Sequence, residues 1–203
     1  MPERIGSVDA LREHYPEPKG RTLRKVLDRL DIHCRRFIAL SPFVVVASGD
    51  GAGRLDASPR GGTPGFVRVV DDGTLWLPDA PGNNRLDSLA NVVETGGIGL
   101  LFLIPGVDET LRVNGRARVR ADADALAAFT DEPRPPRAVL EVGVEEAYLH
   151  CAKALLRAKL WVDESRQDRS VLPPTGQILQ EQTGGSGPVE TREEMLARYA
   201  RDL

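Results

Sequence analysis

Apolar positions along the chain fall into runs of two kinds, some spaced for a helix and some for a strand. RTLRKVLDRLD (21–31) sets Leu23, Val26, Leu27 and Leu30 at helical spacing and predicts an amphipathic helix. Beyond Pro42 the spacing changes. FVVVAS (43–48) reads as a strand, GDGAGR (49–54) as a turn, and LDASPR (55–60) alternates as a half-buried strand does. FVRVV (66–70) and TLWLP (74–78) flank DDG and predict a hairpin with Gly73 left-handed. RLDSLANVVET (85–95) carries Leu86, Leu89, Ala90 and Val93 on one helical face, with Asn83 or Asn84 as its N-cap.

GIGLLFLI (97–104) is continuously apolar, as a strand buried on both faces would be, and LRVNGRARVR (111–120) is a further strand. Its interior Asn114-Gly115 step marks either a bulge or a close backbone approach. ADALAAFT (123–130) predicts a short helix, DEPRPPR (131–137) a loop, VLEVGV (139–144) a last strand and EEAYLHCAKALLRAKLW (145–161) a long helix. The polar, Pro- and Gly-rich stretch after Trp161 reads as an extended tail ending in a short helix, REEMLARYARDL. About six hairpin-linked strands with helices inserted between them indicate an α+β fold, mainly antiparallel β, closed as a barrel. Three segments are expected: an N-terminal helical part (1–34), a barrel domain (35–162) and the tail (163–203).

Composition narrows the function. A net charge of −3 with scattered basic residues gives no footprint for nucleic acid. The charged N-terminus lacks a secretory apolar region and no run reaches membrane-spanning length, so a cytoplasmic protein without a membrane partner is expected. Cys34 and Cys151 each follow a histidine, but adjacent side chains diverge, so no metal centre is predicted. The sequence has no nucleophile elbow, P-loop or G-x-G-x-x-G fingerprint. An enzyme built from these residues would take its chemistry from a cofactor.

Four constellations carry candidate chemistry. Ser58, Pro59, Arg60 and Gly61 end a strand at a glycine-rich corner, where backbone amides and a guanidinium can meet an anion; the alternative is an ordinary tight connection. Asn83, Asn84 and Arg85 stand at a helix start, where unpaired amides and the macrodipole favour negative charge; the alternative is a plain Asn cap. Arg112, Asn114 and Arg116 share one strand face unless a bulge resets the alternation. His150, Lys153 and Arg157 form a basic helical stripe opposite Leu149, Ala152, Leu156 and Leu160, a pattern that a solvated face also gives.

Taken in order, ASPRGGTPGFV, DDGTLWLPD, PGNNRLDSLANVV, GLLFLIPG, ETLRVNGRARV and HCAKALLRAKLW resemble the FMN-binding proteins related to pyridoxamine 5′-phosphate oxidase, over residues 35–162. The resemblance implies a split β-barrel homodimer with FMN in clefts between the subunits. It implies FMN contacts from Ser58, Pro59, Arg60 and Gly61, from Leu77 and Pro78, and phosphate contacts from Asn83, Asn84 and Arg85. A flavin-ring contact falls near Thr110 or Arg112, and Lys153 is counted with the cofactor-binding set. The oxidase has Ser-Arg-Lys at the helix start where this chain has Asn-Asn-Arg, and its arginine-rich C-terminal segment has no match in the tail. The implied function is therefore an FMN-dependent oxidoreductase on an unidentified small molecule rather than pyridoxamine phosphate oxidation. The alternatives are a non-catalytic flavin carrier or redox sensor, or a deazaflavin- or haem-binding variant of the fold.

Overall fold

The computed structural model describes residues 4–80, 82–132 and 134–200. Three helices precede the sheet: α1 (Val8–His14), α2 (Arg21–Arg24) and α3 (Ile32–Leu40). Seven strands follow, β1 (Phe43–Gly49), β2 (Leu55–Gly61), β3 (Arg68–Val69), β4 (Thr74–Pro78), β5 (Gly97–Leu103), β6 (Thr110–Arg120) and β7 (Val139–His150). Helix α4 (Asp87–Thr95) joins β4 to β5, and α5 (Ala123–Ala127) joins β6 to β7. Helices α6 (Lys153–Ala158), α7 (Thr175–Thr183) and α8 (Arg192–Tyr199) complete the chain.

The strands form one antiparallel sheet in the order β2-β1-β5-β6-β7-β4-β3. One apolar core holds Val44 and Val46 of β1, Phe102 of β5, Val113 of β6 and Leu75 of β4 together, so the sheet curls on itself. Its two edges stay apart, which makes it a split β-barrel of the α+β class. A smaller cluster of Ala125, Phe129 and Val139 seats α5 against β7. Among the described residues no helix is long and apolar enough to cross a membrane.

Four expectations are corrected. The helix expected over 21–31 stops at Arg24, because the chain beyond it is drawn out along β7. Leu27 exchanges two backbone hydrogen bonds with Ala147, at 3.0 and 2.8 Å, and the Leu30 amide donates to Asp72 O at 2.7 Å. Helix α3 starts only afterwards, with the Asp31 carboxylate accepting from the Cys34 amide.

The helix expected over 145–161 is strand as far as His150. β6 is eleven residues long, and β7 pairs with it along its whole length, Thr110 opposite His150 and Arg120 opposite Val139. Cross-strand pairing outweighs the helical spacing of EEAYLHCAKALL. The basic stripe therefore does not form: His150 ends a strand, while Lys153 opens the six-residue α6. Gly73, expected to be left-handed, has no positive φ, and the turn is held instead by Asp71 Oδ1 accepting the Gly73 amide at 2.8 Å.

The tail, expected to be extended, folds into two 3₁₀ turns and α7, which a left-handed Gly184 closes. Residues 201–203 of the expected terminal helix lie outside the described residues.

Candidate functional site: an arginine-lined cleft

The cleft lies where edge strand β2 faces the end of β4 and the start of α4, and its volume is about 1170 Å³. β2 tolerates Pro59 because an edge strand leaves one row of backbone groups unpaired. Ser58 and Arg60 pair with Val46 and Val44 of β1, whose side chains are fully buried. Directly paired residues share a face, so Ser58 and Arg60 point to the inner side of the sheet. There the Arg60 guanidinium donates to Ser58 Oγ and to Pro59 O, which fixes its direction along the cleft.

The glycines of the corner serve packing. A Cβ on Gly62 would lie 2.7 Å from the Cβ of Phe66, whose ring is buried in the core, and Gly65 takes a φ of +84° close under Ala39 O. The corner turns tightly so that Phe66 reaches the core and Arg60 stays at the cleft wall.

The opposite wall is the turn into α4. Asn84 and Leu86 both have left-handed φ, 58° and 60°, and Asn83 Oδ1 accepts the Arg85 amide at 3.0 Å. A left-handed leucine is a costly backbone state that persists only where the surroundings enforce it. Leu86 is also the N-cap position and offers no side-chain cap, so neither asparagine caps the helix as expected. The helix start is thus left with amide donors for another acceptor. Arg85 is largely exposed and pairs with Asp87 at 2.8 Å.

Polar contacts hold α4 against the barrel. Ser88 donates to Asp56, Asn91 Nδ2 to Ser48 Oγ at 3.0 Å, and Thr95 Oγ1 to Gly49 O at 2.9 Å. Arg116 covers the other end of the helix by donating to Thr95 O at 2.7 Å.

Eight of the residues singled out from sequence therefore meet in one cleft: Ser58, Pro59, Arg60 and Gly61 on one wall, Pro78, Asn83, Asn84 and Arg85 on the other. Leu77 does not; it is core. Thr110 and Arg112 lie across the sheet. Pro59, Val45, Leu101, Arg112 and Tyr148 form one lateral row on the outer face, opposite to that of Arg60. There Arg112 Nη2 and Asn114 Nδ2 both donate to Glu146 Oε1 at 3.0 Å, and Arg112 and Lys25 lie 4.5 and 4.7 Å from the Tyr148 ring. Burial and the charges of Arg112 and Lys25 push His150 below the ordinary histidine range. Lys153 is exposed and lines no part of the cleft.

Sequence reading missed Asp79, Arg134, Arg137 and Tyr199, all of which line the cleft. Asp79 adjoins a residue already singled out, and DEPRPPR holds two arginines, but their convergence depends on β4 pairing with β7. Burial raises the Asp79 carboxyl above its ordinary range, although Arg60 and Arg137 pull it down.

The folded chain thus holds the Asp79 proton to higher pH than the unfolded chain does, and ionisation of Asp79 costs stability as pH rises through its folded pKa. Asp79→Asn is expected to raise Tm at neutral pH. The gain should fall away once the pH drops below the ordinary aspartate range, which thermal unfolding from roughly pH 3 to 8 would show. A constant difference across that range would contradict this account.

A family model described as Pyridoxamine 5′-phosphate oxidase matches residues 30–151, more than half of the chain. The chain belongs to that family. No curated protein matches it. Among solved structures, HupZ of Group A Streptococcus is 18% identical with a TM-score of 0.50, over 59% of this chain and 93% of that one, a likeness of fold. An FMN-binding protein from Syntrophomonas wolfei is 11% identical with a TM-score of 0.42, over 72% of this chain and 98% of that one. The FAD binding protein from Mycobacterium smegmatis is 14% identical with a TM-score of 0.43, over 61% and 97%.

Proposed function

We propose that the cleft binds FMN and that the protein is an FMN-dependent oxidoreductase acting on a small molecule. The observation that carries this reading is that Arg60 and Arg85, from segments separated by two strands, line one cleft together with the uncapped start of α4. Two guanidiniums, the side chains of Asn83 and Asn84 and unpaired helix amides make a donor set suited to one phosphate dianion. Membership of the pyridoxamine 5′-phosphate oxidase family supports the choice of a flavin mononucleotide. Bound FMN would supply the redox chemistry; this chain's residues would hold and orient it.

The reading includes a homodimer. The outer sheet face exposes Phe43 at 37% and Leu55 at 88%, and it carries Thr110 and Arg112 turned away from the cleft of their own chain. In a dimer closed through that face, Arg112 of a second copy would approach the flavin ring. Light scattering of the FMN-loaded protein is expected to give twice the chain mass, and a flavin-bound monomer would contradict the dimer. The cofactor is tested by the visible spectrum of the purified protein and by chromatography of what acid releases. Flavin bands with FMN as the main released species are expected; FAD or a Soret band would overturn the assignment.

A further inference from the structure

Tyr199 lines the same cleft as Arg60 and Arg85, although it belongs to a segment well beyond residue 151, where the family match ends. Its position is built. Helix α8 opens on a capping box in which Thr191 Oγ1 accepts the Glu194 amide at 3.2 Å and Glu194 Oε2 accepts the Thr191 amide at 2.8 Å. Arg198 makes two 2.8 Å hydrogen bonds to Glu190, one to each carboxylate oxygen, tying the end of α8 to the residue before its cap. The start of α7 presses on that same residue. A Cβ on Gly176 would stand 2.6 Å from Glu190 O, so only glycine permits the contact. The contact joins α7 to the residue before the cap of α8, and α8 ends on Tyr199.

Two aromatic side chains line the cleft among the described residues, Phe66 and Tyr199, and Phe66 is 97% buried in the core. The ring that is available is that of Tyr199, 42% exposed, with the Arg198 guanidinium 4.7 Å from its centroid. The rest of the cleft offers charges and amides that recognise a phosphate, and prolines and leucines such as Pro59, Pro78, Leu86 and Leu89, but no second exposed aromatic ring. We infer that Tyr199 is a ligand-contacting residue, and that its ring is the wall on which the planar ring of the bound ligand stacks. This rests on the flavin reading above, and it assigns the C-terminal segment a part in binding that its sequence does not announce.

The test is titration of the full chain and three variants with FMN, following flavin fluorescence and its quenching by iodide. An offset stack of two aromatic systems contributes enough for Tyr199→Ala to weaken FMN binding by about 2- to 10-fold. The bound flavin should also become more accessible to iodide. Tyr199→Phe keeps the ring and should behave as the parent. Gly176→Leu touches nothing in the cleft but displaces α8, and should reproduce Tyr199→Ala; far-UV circular dichroism would confirm that it folds.

Unchanged affinity and iodide quenching in Tyr199→Ala would overturn the inference and leave the flavin reading standing. Equal losses in Tyr199→Phe and Tyr199→Ala would assign the effect to the hydroxyl and overturn the stacking. A parent chain that binds no FMN would overturn both readings.

Discussion

Gly115→Ala is expected to be among the most damaging single substitutions in this chain, lowering stability by about 3–5 kcal/mol. Gly115 sits in the middle of β6, opposite the point where β7 ejects one residue. Asn114 pairs with Glu146 and Gly115 with Val144, so Glu145 has no partner. The step draws the β7 backbone inward, and a Cβ on Gly115 would come 1.9 Å from Gly143 O and 3.2 Å from the Glu145 amide nitrogen. These are backbone atoms of the longest strand pair in the barrel, so no flexible side-chain end can yield, and relief requires breaking the β6–β7 ladder. For a chain of this size the loss corresponds to a fall in Tm of roughly 6–20 °C. Gly73→Ala is the contrasting case. Its added Cβ meets its nearest neighbour at 3.7 Å and its φ is not left-handed, so Tm should move by no more than about 3 °C. Thermal melts of the two variants beside the parent decide the matter, and equal Tm values would refute the close-approach account.

The same step shows which parts of the fold were legible in the sequence. Asn114-Gly115 was readable as either a bulge or a close approach, and the structure divides the two between strands. The approach is at Gly115, while the extra residue is Glu145 on β7. β6 therefore keeps its alternation, and Arg112, Asn114 and Arg116 stay on one face. β1 and β5 were legible because their apolar runs are long and bounded by turns, and β6 because Leu111, Val113, Ala117 and Val119 alternate with polar residues.

The second half of β7 was not. Residues 145–150 satisfy a helical spacing as well as an alternating one, and what decides is a partner strand that no local window contains. Leu27 is a parallel instance. Its helical spacing with Leu23 and Leu30 is real, but bonding to Ala147, two residues beyond the irregularity in β7, draws the chain out.

The site divides in the same way. Arg60 and Arg85 stand where the chain leaves a strand or enters a helix, places that present backbone donors whatever the topology. Asp79, Arg137 and Tyr199 have no such local mark. They reach the cleft because β4 pairs with β7 and because α7 and α8 fold back.

Arg60 and Arg85 should not contribute equally to FMN binding, and their difference tests the phosphate site. Loss of a charge-assisted hydrogen bond costs roughly 1.5–3 kcal/mol, about one to two orders of magnitude in affinity. Arg60 is partly buried and already aligned along the cleft by Ser58 Oγ and Pro59 O, so it gives up little freedom on binding. Arg60→Ala should therefore reach the upper part of that range. Arg85 is 72% exposed and must exchange Asp87 for the ligand, so Arg85→Ala should lie at the lower end.

Arg118 pairs with Glu141 and lines no part of the cleft, and Arg118→Ala should leave affinity unchanged. If both arginines meet one phosphate, the double variant should lose less than the sum of the single losses, because removing either guanidinium already lets the phosphate shift out of the position the other one needs. Riboflavin, which lacks the phosphate, should bind the parent and both single variants alike. Fluorescence titration of the five proteins with FMN, and of the parent and the Arg60 and Arg85 single variants with riboflavin, reads out the control and every term of this cycle. Full additivity, or equal losses for riboflavin and FMN, would remove the phosphate from between Arg60 and Arg85.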